Sequence, residues 1–417
     1  MIDYLSRRLR FIEKLPQNSA CLILSNEILY KNGDTEIPFR QDSNFWYLTG
    51  IDEPDCALFI IKGSDSFETQ IFVRESIKAE EIWTGYRLGL EAAKELVNAD
   101  KVFKFSELTQ QIEKIPRNIT KFYFKLHSTN HTLLRHRILE AYPKRFIFEL
   151  IDPDLILGEL RLIKEPIELE YMRKAASISI LAHTECQKMI MAGNYEYQVQ
   201  AELEYRFRLA NANPAYPSIV ASGENATILH YSSNQRKFEN GDLVLIDAAC
   251  EYRNYSSDIT RTYVVGGKYS DTQRAIYNIV LKAHQEAIIE ASIKNKTYKD
   301  VHIKAVETLI SGLIDLGLLK DTIEENISNK NYLKFFMHGT SHWLGLDTHD
   351  VGSITEPASE AFRILKPNMV LTIEPGLYFD PKDETIPTEF RGIGIRLEDD
   401  ILITEDGTEN LTKALEI

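Results

Sequence analysis

Cysteine is scarce in this 417-residue chain, which holds only Cys21, Cys56, Cys186 and Cys250. They lie far apart with no CxxC pair, so a disulfide scaffold is excluded and buried thiols are expected rather than zinc ligands. That usage fits a reducing compartment, and the expected location is the cytoplasm. Positive charge is also in deficit: 48 Lys and Arg face 62 Asp and Glu, a formal net charge of −14. A nucleic-acid partner, whose phosphates demand clustered Lys and Arg, is therefore not expected. No apolar run reaches the about 18 residues that a membrane span needs, so no membrane partner is expected either. The opening MIDYLSRRLRFIEKL intersperses charge among apolar positions, which does not suit a secretory signal. Its spacing predicts an amphipathic helix presenting Leu5, Leu9 and Ile12 on one face. The ordinary apolar (44%) and charged (26%) fractions exclude a disordered or collagen-like chain.

The length favours two or three domains. The first part mixes short apolar strands (SACLILS, CALFIIKG) with helical spacing (AEEIWTGYRLGLEAAKELVN, NHTLLRHRILEAY), a mixed α/β pattern. A junction follows in FELIDPDLILGELRLIKEP, where Pro166 suits the first turn of a new helix over 167–191 that ends at a Gly193 cap. The boundary is placed at 160, giving domains 1–160 and 161–417. Further helices are expected at 195–212, 272–292 and 298–317, alternating with hairpin-like strands that carry acids among apolar residues.

Those acids are where chemistry is expected. Asp247 interrupts the apolar strand 243–249, and Asp258 follows 11 residues later at the start of the strand 259–265. EYRNYSS between them reads as the hairpin connection. An ionised carboxylate in an apolar strand is costly unless paired, and two on facing strands repel, which a divalent cation relieves. The segment MHGTSHWLGLDTHDVG holds His338, His342 and His349 beside Asp347 and Asp350, with Gly339, Gly345 and Gly352 favouring an extended loop that approaches a ligand. Glu374 stands in the apolar MVLTIEPGLYF. In GIGIRLEDDILIT, Arg396 and Glu398 share a strand face, and taken alone that pair reads as a salt bridge. Asp399 and Asp400 read as supporting or solvated acids. Carboxylates with a single His suit manganese-type ions. Four carboxylates balance two divalent ions, whose shared hydroxide would be the nucleophile.

At these residues the sequence resembles a known family. The order Asp–Asp–His–Glu–Glu is similar to that of the dinuclear pita-bread metallopeptidases. The segments SGENATILHY, GDLVLIDAACEY, SSDITRTY, HGTSHWLGLDTHDVG, TIEPGLY and RGIGIRLEDDILIT are similar to the Xaa-Pro aminopeptidase (aminopeptidase P) type. FRQDSNFWYLTGIDEP and EIWTGYRLG resemble that type's amino-terminal domain. The resemblance implies an α/β (α+β) architecture: a smaller mixed α/β domain, then a catalytic domain of curved antiparallel sheet with flanking helices. It implies Asp247 as a terminal metal ligand, Asp258 and Glu398 shared between two ions, and His342 and Glu374 completing the second. Glu374 would also shuttle the proton. His230 and His349 would contact substrate and the tetrahedral intermediate, while His338, Tyr378 and Arg396 would line the proline pocket. Asp34 and Trp83 match positions at the active-site rim, Trp83 from a neighbouring subunit. A basic residue expected near Asp154 is missing from the junction.

The activity so implied is metal-dependent release of an amino-terminal residue from peptides with proline second. The implied cofactor is two Mn2+ per subunit, and the implied assembly a homodimer or homotetramer. A prolidase, restricted to Xaa-Pro dipeptides, shares the same ligands. A non-catalytic binding module and a creatinase-like amidinohydrolase use the fold without the ligands, whereas all five positions are filled here.

Overall fold

The computed structural model describes residues 2–125, 130–141, 149–357 and 359–415. These form two compact units, Met1–Leu160 and Arg161–Ile417.

In the first unit the apolar Ser19–Leu24 strand is buried along its whole length. It pairs antiparallel with Ala57–Lys62 and parallel with Lys121–Phe124. Phe67–Val73, Lys101–Lys104 and Glu149–Ile151 complete a six-stranded mixed sheet. Its core gathers Leu22, Phe59, Phe72, Phe122 and Phe124 against Leu108, Ile112 and Ile138. The helical spacing over 79–98 resolves into two helices, Lys78–Thr84 and Gly89–Val97. Gly85 parts them with φ +86, a conformation open chiefly to glycine.

The amino-terminal helix, Tyr4–Lys14, forms as expected but turns a different face inward. Leu5 and Leu9 are exposed, while Arg7, Arg8, Phe11 and Ile12 are buried. The Arg8 guanidinium donates to the Leu48 carbonyl at 2.6 Å and also to the Val97 carbonyl. Arg7 lies 4.3 Å from the Tyr47 ring centroid. Carbonyls left open at helix ends accept cations well, so two arginines outcompete two leucines for this face. Phe45, Trp46 and Tyr47 are core residues. Lys125 supplies the base missing from the junction sequence, pairing with Asp154 at 2.6 Å.

The second unit opens with a helix at Pro166–Cys186, proline in its first turn, followed by a 3-10 turn at Gln187–Met189. Gly193 therefore does not cap this helix; it lies in the following turn and donates to the Phe238 carbonyl. The other long helices are Glu196–Leu209, Asp271–Ser292 and Tyr298–Asp315. One helix pair packs Ala175, Ile178, Val199 and Leu203 against Val220, Val244 and Ile246. The other packs Ile276, Val280, Val306 and Leu309 against Val264, Leu377 and Ile395. Between them run short antiparallel strands: Ile219–Ser222, Leu243–Asp247 and Thr260–Val264 in one sheet, Val370–Ile373, Asp399–Thr404 and Gly407–Asn410 in another, with Gly376–Tyr378 beside Gly394–Arg396. This is the expected mixed architecture, antiparallel strands flanked by helices.

Gly394 shows how tightly these pieces meet. A Cβ there would stand 2.0 Å from the Ala226 carbonyl oxygen. Both sides of that contact are backbone, so relief requires strand and turn to separate. Gly394→Ala is expected to destabilise the chain by about 1–3 kcal/mol, the usual cost of overpacking. A urea midpoint equal to that of the parent would contradict the contact.

Candidate metal centre

Asp247 ends its strand opposite Thr260 in antiparallel register, which brings Asp258, two residues earlier, to the same end of the sheet. The link between them is more than a loop. Cys250–Tyr252 and Tyr255–Ser256 form a second small hairpin, turning at Arg253 and Asn254 with φ +51 and +66. Positive φ at both central residues is the twist-matched hairpin turn. Asp258 is then fixed at both ends. Its N–H donates to Asp400 Oδ1 at 3.0 Å, and its Oδ1 accepts from the Tyr216 hydroxyl at 2.6 Å.

His342 arrives from an irregular segment, as its glycines suggested, pinned by reciprocal bonds with Thr372. Its Nδ1 lies 3.1 Å from the Trp343 carbonyl, and its Nε2 lies 3.3 Å from Asp258 Oδ2 and 3.5 Å from Glu374 Oε1. Glu374 follows the strand Val370–Ile373 rather than lying within it. Glu398 falls in the break between two strands, where the Thr260 hydroxyl donates to its Oε2 at 2.6 Å. Asp258, His342 and Glu398 each bring a ligand atom within 4.8 Å of the others.

These groups fit a divalent cation. Both nitrogens of His342 face acceptors, yet a neutral imidazole has one N–H to give. Without a cation the ring must take a second proton. Burial opposes this, but the Asp258 hydrogen bond and the Glu374 charge prevail and raise its pKa to about 9. Burial pushes Glu374 up to about 7 and Glu398 well above the usual carboxylate range. Asp247 is raised too, mainly by burial, and its buried Oδ1 has no partner among the described residues. A cluster that must hold extra protons, with an acid oxygen left over, is built for positive charge. Binding of Mn2+ at pH 7 is therefore expected to release at least about one proton and to weaken as pH falls. Calorimetry in two buffers of different ionisation enthalpy measures this, and heats independent of buffer would refute it.

The Arg396 expectation needs correction. Its guanidinium pairs with Asp247 at 2.5 Å, not with its strand neighbour Glu398. The break after Arg396 removes the shared face, and the facing strand offers Asp247 instead. Arg396 also donates to the Tyr378 hydroxyl at 3.0 Å, which in turn lies 2.8 Å from His338 Nε2. With Nδ1 beside the Gly339 carbonyl, His338 is held neutral, its pKa lowered to about 3 by burial and then by Arg396. Asp399 and Asp400 are not solvated. Asp399 pairs with Arg261 at 2.7 Å, and Asp400 holds Ser257 and Asp258.

Asp347 and Asp350 stand with the histidines in sequence but turn away from them, toward Arg161 and Lys164. Gly345 serves that packing rather than a ligand, since a Cβ there would meet Asp350 Oδ2 at 2.2 Å. His349 sets its ring edge-on to His342, centroids 4.4 Å apart. Burial and the neighbouring His342 lower its pKa.

A cavity of about 330 Å3 is lined by His230, His338, His342, His349, Arg396 and the four carboxylates, among others. A second, of about 360 Å3, shares His230, His349, Asp247 and Asp258 and adds Tyr216, Pro217, Ile219, Ser232 and Thr348. The ten residues singled out from the sequence as ligands or substrate contacts thus meet in one place, Tyr378 from just behind the wall. Asp34 and Trp83 belong to the other unit, where both are exposed, Trp83 at 86%. Tyr216, Thr260 and Thr372 were not foreseen; they buttress the ligands, and nothing in a lone Tyr or Thr marks it for that work, whereas Asp400, read as a supporting or solvated acid, takes the supporting role.

The model of metallopeptidase family M24 matches residues 170–405, and that of the aminopeptidase P N-terminal domain matches residues 4–123. The chain is 40% identical to Xaa-Pro aminopeptidase of Escherichia coli (strain K12), across 99% of this chain and 95% of that protein. It is 31% identical to Xaa-Pro aminopeptidase 3 of Homo sapiens, across 97% and 82%. Zn-substituted E. coli aminopeptidase P in complex with product superposes with a TM-score of 0.92 at 40% identity, covering 99% of this chain and 95% of that one. Aminopeptidase PepP of Pseudomonas aeruginosa gives 0.92 at 36% identity, covering 99% and 94%.

Proposed function

We propose that this chain, which belongs to metallopeptidase family M24, is an aminopeptidase that releases the amino-terminal residue from peptides with proline in second position. The observation that carries the reading is His342, bracketed by acceptors on both nitrogens and surrounded by raised carboxylates. Asp247, Asp258, His342, Glu374 and Glu398 would hold two divalent ions, with Mn2+ the first candidate for this oxygen-rich set. Such ions supply a hydroxide nucleophile at neutral pH and Lewis-acid polarisation of a carbonyl.

The chain's own residues do the rest. The acidic cluster attracts the free α-amine, which restricts trimming to that end of a peptide. His349 and His230, both on the cavity wall, offer N–H groups to the oxyanion as it develops. Glu374 carries a proton to the departing proline nitrogen. That nitrogen belongs to a tertiary amide without N–H, in a ring of fixed φ. The Arg396–Tyr378–His338 chain presents a rigid wall suited to the ring. A homodimer or homotetramer, with Trp83 reaching a neighbour's site, is proposed from its 86% exposure. The cytoplasm is proposed as compartment because the four thiols are free and buried.

Incubation of a tripeptide Xaa-Pro-Yaa beside the dipeptide Xaa-Pro, with Mn2+ or with chelator, tests the reading. Metal-dependent cleavage of the tripeptide is expected. Cleavage of the dipeptide alone would make the chain a prolidase, and inertness toward both would refute a peptidase. His349→Ala is expected to lower kcat by about 10²–10³, the cost of one oxyanion donor. A change in KM alone would make His349 a binding residue.

A further inference from the structure

His230 sits on a long excursion between the strand Ile219–Ser222 and Gly241, and it is exposed. Among the described residues no hydrogen bond reaches its imidazole. Something must therefore hold its backbone, and one buried carboxylate does so from behind. Glu196, at the first turn of the helix Glu196–Leu209, is 0% exposed. Its Oε1 accepts from the Ser222 N–H and hydroxyl, both at 2.7 Å, and from Asn225 Nδ2 at 3.2 Å. Its Oε2 accepts from the Tyr231 hydroxyl and the Arg236 N–H, both at 2.8 Å. The Glu196 N–H closes the ring on the Arg236 carbonyl at 3.0 Å.

Five donors thus converge on one side chain from Ser222, Asn225, Tyr231 and Arg236, on both sides of His230. Hydrogen bonds accepted by a carboxylate are among the stronger kind. Nothing in the metal cluster needs Glu196, and a purely local helix cap would satisfy the helix's own N–H groups, whereas these donors come from the excursion.

We propose that Glu196 is a positioning residue for the reaction: its carboxylate cinches residues 222–236 and so sets where the His230 imidazole stands over the cavity. The inference rests on the reading of His230 given above. Glutamine at this position keeps the shape, but its amide nitrogen cannot accept, so one edge of the network is lost.

The test is a double-mutant cycle on the Mn2+-loaded full chain, with kcat and KM for Xaa-Pro-Yaa and bound metal measured for each variant. Glu196→Gln is expected to lower kcat about tenfold, within the about 10–100-fold range for partners behind a functional group, with metal content unchanged. In the His230→Ala background the same substitution is expected to change kcat by less than about twofold, because nothing is left to position. Tyr231→Phe, which removes one donor only, is expected to lower kcat less and to lose its effect in the same background. Glu196→Asp, which keeps the charge, should recover more kcat than Glu196→Gln. Equal losses in both backgrounds, a loss of metal, or wild-type kcat in both Glu196→Gln and Tyr231→Phe would each overturn the proposal. An inactive parent chain would instead fail the peptidase reading itself.

Discussion

Alanine in place of Asp258 should abolish peptide hydrolysis, with kcat/KM falling at least about a thousandfold, equivalent to about 4 kcal/mol of lost transition-state stabilisation. Three separate supports fix this side chain where it stands. Tyr216 donates to one oxygen, His342 Nε2 faces the other, and Asp400 holds the backbone N–H. Removing the side chain takes one proposed ligand from the cluster and leaves His342 Nε2 facing Glu374. Glu398→Ala should behave alike, since Thr260 orients that carboxylate from the facing strand. Rates on a tripeptide with saturating Mn2+, together with metal content after dialysis, measure the effect. Activity within about tenfold of the parent would remove either residue from the centre.

The second large effect is on stability and lies behind the site. The Asp350 side chain, 1% exposed, pairs with Arg161 at 2.5 Å and Lys164 at 3.2 Å, both cations equally buried. Arg161 also reaches Asp347 at 2.8 Å, but that carboxylate is 40% exposed and so better screened. Burial alone would lower the Arg161 pKa; the two aspartates outweigh it and hold the pKa above the ordinary value. Asp350→Ala removes the buried counter-ion that Lys164 and Arg161 share. Breaking a buried pair from one side costs about 3–5 kcal/mol, because the orphaned charge stays buried. Urea unfolding of the parent, Asp350→Ala and Asp350→Asn measures it. A loss below about 1 kcal/mol for alanine would mean that water reaches these cations freely.

The comparison between Asp247 and Asp350 shows which parts of the centre were legible. Asp247 was visible because an acid interrupts an apolar strand, and burial of such a charge needs a reason that neighbours in sequence do not supply. The same logic reached Asp258 and Glu374, whereas Glu398, with Arg396 as an apparent partner, joined the set only beside the other acids. Asp350 looked like a member of the histidine cluster because it adjoins His349, yet its side chain points to the start of the catalytic unit. Direction of a loop side chain has no periodicity to read. Arg396 repeats the lesson, for strand alternation placed it with Glu398, and a break in the strand sent it to Asp247, 149 residues away.

The sequence by itself determined the element types, the acids and histidines able to serve as ligands, and the resemblance, because apolar period, proline and glycine placement and acids in apolar strands act over a few residues. Only the tertiary structure decided which partner each charge takes: Arg8 on the carbonyls of Leu48 and Val97, Arg396 on Asp247, Asp400 on the backbone of Asp258. A buried charge chooses among all groups that packing brings within about 3 Å, and chain separation does not enter that choice.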